Sequence, residues 1–232
     1  FGHRGPPFIF AGSSSQDFYA AAIKMFTELN TSFPSSGFIQ DNLIEDIGDL
    51  GVPYYYAPGG YAYNGTAGYE SNQGQGIWPD TVNGTVIVRR NTIRRTWAAG
   101  VFVENSPNRP HVVEYNLMED VGQQPCGWTG GVCLGRNSSS TIVRHNTIVR
   151  PKNGGITLQG TPNGQFVQNL DIRDNLVICE GSDPFVVERS GRGNANTNWR
   201  NNLWRNTSNP RWGFLGGTDG ASNNTFWHTP TF

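Results

Sequence analysis

The chain has 232 residues and a formal net charge of −1, with 36% hydrophobic residues, 15% charged residues and 30 Gly. A net charge near zero argues against a nucleic-acid-binding protein, which would carry a clustered excess of basic residues. No run approaches about 18 consecutive apolar residues, so no membrane span is expected, and the apolar fraction is too high for a disordered chain. We therefore expect a folded, turn-rich domain.

The first segment with a recognisable pattern lies near the N-terminus. The chain begins at Phe1 without an initiator Met or a signal peptide, so we read it as a processed product or a stretch of a longer protein. Within it, Phe18, Ala22, Phe26 and Leu29 stand at helical spacing in a segment without Pro or Gly. This spacing predicts a short helix over residues 16–30, as an insertion or a cap.

A short repeat, apolar-x-x-Asn-x-apolar, organises the rest of the chain. It occurs seven times, around Asn42, Asn91, Asn116, Asn146, Asn175, Asn202 and Asn224. The intervals between these residues are 49, 25, 30, 29, 27 and 22, so the first is either two coils or one coil with an insertion. Short alternating strands at this period cannot bury a core alone, which predicts a solenoid of stacked coils, regular over residues 84–226.

The repeated Asn predicts a ladder of side chains along this solenoid. Asn tolerates the left-handed backbone region at a tight corner, and its amide can bond the matching Asn one coil away, at about 4.8 Å. A strand that begins with Gly also precedes several copies, as at Gly100, Gly131 and Gly155.

The repeats VIVRRNTI, TIVRHNTI and DIRDNLVI resemble those of right-handed parallel β-helices of the pectate-lyase-like superfamily. The resemblance extends from Gly37 to Phe226 and implies an all-β, right-handed parallel β-helix, with residues 1–232 as a single domain. It does not imply one function, because the superfamily includes lyases, hydrolases, epimerases, adhesins and phage spikes.

Residues 54–76 form a Tyr/Gly-rich segment inside the longest interval. One interpretation is a long packed loop. The other is a binding or assembly surface, since Tyr combines apolar area with a polar tip.

Residues at equal distance from the repeated Asn should stack in columns along the solenoid. The positions three before and two after it are apolar nearly throughout, from Ile39 and Ile44 to Trp199 and Trp204, and are predicted to form the core. The position four after it alternates in charge, which should place opposite charges on neighbouring coils. This last column consists of Asp46, Arg95, Asp120 and Arg150.

The position two before the Asn carries like charges on three successive coils, at Arg144, Arg173 and Arg200. Stacked arginines repel unless an acid intervenes, and Asp171 and Asp174 are near enough in sequence to be that acid. The alternative is a groove for an acidic polysaccharide, because the guanidinium fork suits carboxylate and sulfate.

No catalytic residue, metal site or cofactor is predicted. The resemblance implies an Arg or Lys base with calcium held by carboxylates. Arg136 is the one candidate base, and in the sequence neither a neighbouring Lys nor a carboxylate cluster accompanies it. The four His residues (His3, His111, His145 and His228) show no metal-ligand spacing.

Two features favour an extracellular protein. N-glycosylation acceptors occur at Asn30, Asn64, Asn83, Asn137, Asn206 and Asn223. Cys126 and Cys133 flank a short loop in which a disulfide is plausible, although three buried reduced thiols, including Cys179, are the alternative.

The function expected from these patterns is a secreted, glycosylated structural or surface β-helix without catalytic activity. Aromatic residues crowd its C-terminal part, and no polar capping helix follows the last coil. Either these aromatics pack as a plug, or the end meets another chain, or the chain is part of a longer solenoid; end-to-end self-association into a filament is the expectation. The alternative is a lyase, a hydrolase or a non-catalytic binder that acts on an acidic polysaccharide.

Overall fold

The computed structural model describes residues 20–26, 36–47, 73–106, 109–123, 129–159, 167–180, 186–188, 196–206 and 225–228. All the regular secondary structure in this part of the chain consists of β-strands. In order they are β1 (Ala20–Phe26), β2 (Gly37–Gln40), β3 (Leu43–Ile47), β4 (Gln73–Asp80), β5 (Val86–Arg89), β6 (Thr92–Thr96), β7 (Val101–Val103), β8 (Val112–Glu114), β9 (Leu117–Glu119), β10 (Val132–Gly135), β11 (Ile142–Arg144), β12 (Thr147–Val149), β13 (Ile156–Gln159), β14 (Asp171–Arg173), β15 (Leu176–Cys179), β16 (Val186–Glu188), β17 (Asn198–Arg200), β18 (Leu203–Asn206) and β19 (Thr225–His228).

The strands form three parallel sheets in which every third strand is a neighbour. Sheet A has the order β1-β4-β7-β10-β13-β16, sheet B the order β2-β5-β8-β11-β14-β17, and sheet C the order β3-β6-β9-β12-β15-β18-β19. Three successive strands from β1 to β18 therefore make one coil, and each of these coils hydrogen-bonds to the next in all three sheets. The last strand, β19, pairs with β18 in sheet C. This confirms the predicted parallel β-helix.

The longest interval of the repeat is a single coil with an insertion. Strand β2 pairs directly with β5 and β3 with β6, so Asn42 and Asn91 lie on consecutive coils. The insertion follows β3, and its residues 48–72 are outside the described part of the chain. Residues 73–76, the end of the Tyr/Gly-rich segment, begin β4.

The predicted N-terminal helix is wrong over Ala20–Phe26, which form strand β1. This strand pairs with β4 at the edge of sheet A, and its Ile23 and Met25 pack against the core. Apolar residues therefore alternate with period two here, and sheet pairing prevails over the helical spacing. The remaining residues of the predicted helix, 16–19 and 27–30, are not among those described.

The predicted Asn ladder runs from Asn42 to Asn202. At each step the backbone N–H and the side-chain Nδ2 of one Asn donate to Oδ1 of the next, at 2.8–3.1 Å. The amides of Asn91, Asn116, Asn146, Asn175 and Asn202 are buried. Asn224 is outside the described residues, so the last step of the ladder stays a prediction.

The left-handed corner lies one residue earlier than the sequence suggested. The residue before the ladder Asn has a φ between 53° and 59° in every described coil. These residues are Asp41, Arg90, Tyr115, His145, Asp174 and Asn201. The ladder Asn therefore does not supply the backbone conformation. Its role is to satisfy the carbonyls and N–H groups that the corner leaves without a strand partner.

The core lies between the three sheets and contains the two apolar columns that the sequence predicted. Ile39 and Ile44 begin these columns in the first coil and Trp199 and Trp204 end them, all four being buried. A second, smaller cluster packs on sheet A and contains Trp78, Ala99, Phe102 and Cys133.

Glycines form a further column where the chain enters sheet A. The backbone of one coil contacts the next so closely that a Cβ on Gly76 would lie 2.5 Å from the carbonyl oxygen of Gly100. A Cβ on Gly100 would lie 2.9 Å from that of Gly131, and one on Gly131 would lie 2.6 Å from that of Gly155. The Gly that begins these strands is thus required by the approach of neighbouring coils.

Candidate functional site

Sheet B brings the three predicted arginines together. Arg144 pairs in register with Arg173, and Arg173 with Arg200, so their side chains stack on three successive coils as predicted. All three are partly exposed on the outer face of the solenoid.

Each of these arginines already contacts a carboxylate of the protein. Nη2 of Arg144 lies 2.7 Å from Oε2 of Glu114, and Nη2 of Arg200 lies 3.3 Å from Oδ2 of Asp171. Arg173 contacts Asp171 at 2.9 Å and Asp174 at 2.7 Å. Burial works to raise the pKa of Asp174, but hydrogen bonds from Arg173 and Asn201 bring it below its usual value. Asp171 and Asp174 are therefore the acids that the sequence suggested between the arginines.

The column four residues after the ladder Asn has the predicted alternation of charge. Nε of Arg95 donates to Asp46 at 2.6 Å, and Nε of Arg150 donates to Asp120 at 2.8 Å. The hydrogen bond from Arg150 lowers the pKa of Asp120, which keeps that carboxylate ionised. These ion pairs join one coil to the next.

A second cluster of charges, which was not predicted from the sequence, lies where the strands of sheet A end. It consists of Lys24, Asp80, Glu104 and Arg136, from four consecutive coils, and we call it the sheet A charge row. Nζ of Lys24 lies 3.0 Å from Oδ2 of Asp80 and 3.7 Å from the centre of the Trp78 ring. Nε of Arg136 lies 3.4 Å from Oε1 of Glu104.

Glu104 is the most perturbed carboxyl group of this row. Its side chain is 5% exposed, whereas that of Arg136 is 42% exposed. Burial raises the pKa of Glu104 to about 7; the charge of Arg136 works against this and the charge of Asp80 adds to it. Glu104 therefore exchanges a proton near neutral pH, while the neighbouring carboxylate of Asp80 forms an ion pair with Lys24. A buried carboxyl group with a raised pKa beside charged partners is a feature of many functional sites.

The sheet A charge row gives Arg136 a carboxylate neighbour, Glu104, that the sequence alone did not indicate. Lys24 was assigned to a helix, and Asp80 and Glu104 are far apart in sequence. A signal was nevertheless present: Asp80, Glu104 and Gln159 each stand four residues after a Gly of the glycine column. Alignment of the strands on these glycines would have placed all three residues at the same end of sheet A.

His111 is the most strongly perturbed histidine in the described part of the chain. It is buried, and its Nδ1 accepts a hydrogen bond from the backbone N–H of Val86 at 3.1 Å. Burial lowers its pKa from 6.5 to about 4. The folded state therefore holds the neutral imidazole, and its Nδ1 satisfies the backbone N–H of Val86 within the fold.

We expect the titration of His111 to destabilise the fold in acid. Because the folded pKa lies below the unfolded one, its contribution is fully present above about pH 6.5 and is lost as the pH falls toward 4. The loss between pH 7 and pH 4.5 should be roughly 2–3 kcal/mol of unfolding free energy. Urea unfolding of the wild type and of His111→Gln at both pH values measures this loss. The contribution of His111 is the loss of unfolding free energy in the wild type minus that in His111→Gln.

That comparison is needed because Glu104 titrates in the opposite sense. Its raised pKa means that the folded state binds more protons, so its effect on stability worsens as the pH rises through about 7. An equal loss of stability in wild type and His111→Gln on acidification would contradict the assignment to His111.

The predicted disulfide and the glycosylation sites are only partly within the described residues. Cys133 is buried on β10, while Cys126 is not described, so the bridge stays a prediction. Asn83 and Asn137 are partly exposed in the turns that follow β4 and β10. The backbone of Asn206 is the end of β18, and Asn30, Asn64 and Asn223 are outside the described ranges.

The described residues bring together no group of three or more His, Cys, Asp or Glu side chains that could hold a metal ion. They also contain no helix with the length and apolarity needed to cross a membrane.

Comparison of the chain with protein-family models, with curated proteins and with solved structures gives no match. The likeness to the pectate-lyase-like superfamily therefore rests on the repeat and on the parallel β-helix itself.

Proposed function

We propose that this protein is a secreted, N-glycosylated structural or surface β-helix, a subunit of an extracellular assembly or filament that acts without catalysis. The observation that carries the proposal is that most of the described surface charges form ion pairs between neighbouring coils. On sheets B and C, charged side chains bond to the neighbouring coil, as in the contacts Arg90–Asp41, Arg94–Glu119, Arg95–Asp46, Arg144–Glu114 and Arg150–Asp120. Such ion pairs stiffen the solenoid and leave little charge for a ligand.

Electron microscopy of the native protein, with mass spectrometry of its peptides, tests this proposal. We expect elongated assemblies, and sugar on the peptides that contain Asn83 and Asn137. Enzymatic removal of the glycans should shift the masses of these peptides and provides the control. Discrete monomers with bare Asn residues would contradict the proposal.

The second candidate is binding or cleavage of an acidic polysaccharide. The arginines of sheet B support it weakly, because Glu114, Asp171 and Asp174 already neutralise them. The sheet A charge row supports it better, since Glu104 and Asp80 are carboxyl groups in different environments beside two cations. Incubation with acidic polysaccharides, with and without calcium, would reveal a lyase through the absorbance of unsaturated uronate products.

A further inference from the structure

Arg173 on sheet B and Arg136 on sheet A differ in the carboxylates that they contact. Arg173 contacts Asp174, whose lowered pKa keeps its charge at neutral pH. Arg136 contacts Glu104, which is buried and takes up a proton near neutral pH. Glu104 can therefore lose its charge under mild conditions, whereas Asp174 keeps it.

The net charge of the sheet A charge row depends on this proton. With both carboxylates ionised, the two cations and two anions cancel. When Glu104 is protonated, Lys24, Arg136 and Asp80 leave a net charge of +1. The side chains of Lys24 and Arg136 are 30% and 42% exposed, so both are accessible to a ligand in solvent.

We propose that Arg136 and Lys24, at opposite ends of the sheet A charge row, bind separate carboxylate or sulfate groups of one anionic ligand, and that Glu104 competes internally with the bound anion for Arg136. A proton from solvent adds to the Glu104 carboxylate as the anion binds, and the guanidinium turns from one anion to the other. No other bond is made or broken.

The charged groups that face Glu104 come from three elements. Asp80 at the end of β4 lies on the adjacent strand position, since its backbone bridges that of Glu104. Lys24 of β1 holds Asp80, and Thr81 donates to the same carboxylate at 2.7 Å. Arg136 follows β10 on the other side. Asp80 disfavours ionisation of Glu104 and Arg136 favours it, so an external anion at Arg136 should raise the proton affinity of Glu104.

The residues of the site form a line parallel to the axis of the solenoid. Its four residues come from coils about 4.8 Å apart, so the row spans about 14 Å. Gln159 continues it on the next coil, where it pairs in register with Gly135, and its Oε1 makes no hydrogen bond to any described residue. An elongated ligand that carries acidic groups, aligned with the axis, fits this row better than a small ion.

Calorimetric titration at pH 5.5 and pH 8.5 tests the proposal. The probes are sodium sulfate, a uronic acid oligosaccharide, a sulfated oligosaccharide and a neutral oligosaccharide of equal length. We expect the anionic oligosaccharides to bind at least about tenfold more tightly at pH 5.5, as one charge of the site changes. The neutral oligosaccharide should not bind, and the two anionic ones show whether carboxylate or sulfate is preferred.

Three variants assign the effect to residues. Arg136→Gln should lose binding at both pH values. Glu104→Gln carries no charge at either pH, so its affinity at pH 8.5 should rise to that at pH 5.5, a gain that misfolding cannot produce. Arg95→Gln, which changes an arginine of similar exposure (43%) on sheet C, should bind as the wild type does.

Three results would overturn the proposal. They are the absence of anion binding by the wild type at either pH, an unchanged pH dependence in Glu104→Gln, and an equal loss of binding in Arg95→Gln and Arg136→Gln. The proposal rests on the second candidate function in its non-catalytic form. Assembly is measured separately by microscopy, so that the structural role and the anion site can each fail alone.

Discussion

Replacing Asn146 by Ala should destabilise the protein by about 4 kcal/mol or more, because it removes a buried amide from the middle of the ladder. Nδ2 of Asn146 donates to the carbonyls of Val113 and Arg144 and to Oδ1 of Asn175. Its Oδ1 accepts from the backbone N–H and Nδ2 of Asn116. The Ala variant leaves several of these groups buried without a partner, at about 1–3 kcal/mol each. Urea unfolding followed by circular dichroism measures the loss.

Asn42→Ala is the matched control at the first rung of the same ladder. Asn42 is only partly buried, and no described residue donates to its Oδ1. It should lose about 1–2 kcal/mol, since the groups left behind can reach water more easily. Equal losses in the two variants would mean that the stability contributed by a ladder Asn does not depend on its burial.

Replacing Gly131 by Ala should cost about 3 kcal/mol or more, through a clash between neighbouring coils. The new Cβ would lie 2.6 Å from the carbonyl oxygen of Gly155 and 2.6 Å from Cγ2 of Ile148. Neither neighbour can retreat easily, because one is backbone and the other is a buried core residue. The midpoint of thermal unfolding should fall accordingly.

Gly37→Ala adds the same methyl group where there is room for it. The nearest atom would be Cε of Met25 at 3.6 Å, an ordinary contact with a flexible side chain. We expect a change within about 1 kcal/mol, in either direction, because Ala also reduces the entropy of the unfolded chain. If Gly131→Ala were tolerated as well as Gly37→Ala, the coils would be more loosely stacked than the structure indicates.

Much of the fold is predictable from the sequence because the solenoid repeats one set of contacts. Asn91, Asn116 and Asn146 stand at nearly equal intervals, and each coil places its Asn against the next. The apolar columns and the alternation of Asp46, Arg95, Asp120 and Arg150 follow from the same register. Each additional copy of the repeat strengthens the prediction of the register between coils. A domain without repeats offers no such internal comparison.

The sequence was less informative where the repeat is incomplete. Strand β1 belongs to the first coil and pairs with a strand on one side only, β4. No preceding copy of the repeat marked it as a strand, so the helical spacing of its apolar residues was misleading. The left-handed corner was assigned to the Asn, although residues as different as Arg90, Tyr115 and His145 occupy it. Position in the coil determines that conformation, and residue type does not reveal it.

The candidate site was hidden for a different reason. Lys24, Asp80, Glu104 and Arg136 are up to 112 residues apart in the chain (136 − 24), and only the stacking of coils in sheet A brings them together. Each residue taken alone resembles an ordinary surface charge. The raised pKa of Glu104 depends on burial, which local sequence does not indicate.

The Asn ladder has a polarity. At every step the amide of the earlier coil is the donor and that of the later coil is the acceptor, from Asn42 and Asn91 to Asn175 and Asn202. The amide dipoles therefore point the same way and reinforce one another along the axis. Two copies can continue this chain of dipoles across a junction only if the last coil of one meets the first coil of the next. A fibre built by extending the ladder would consequently have two chemically different ends, and would grow from them at different rates.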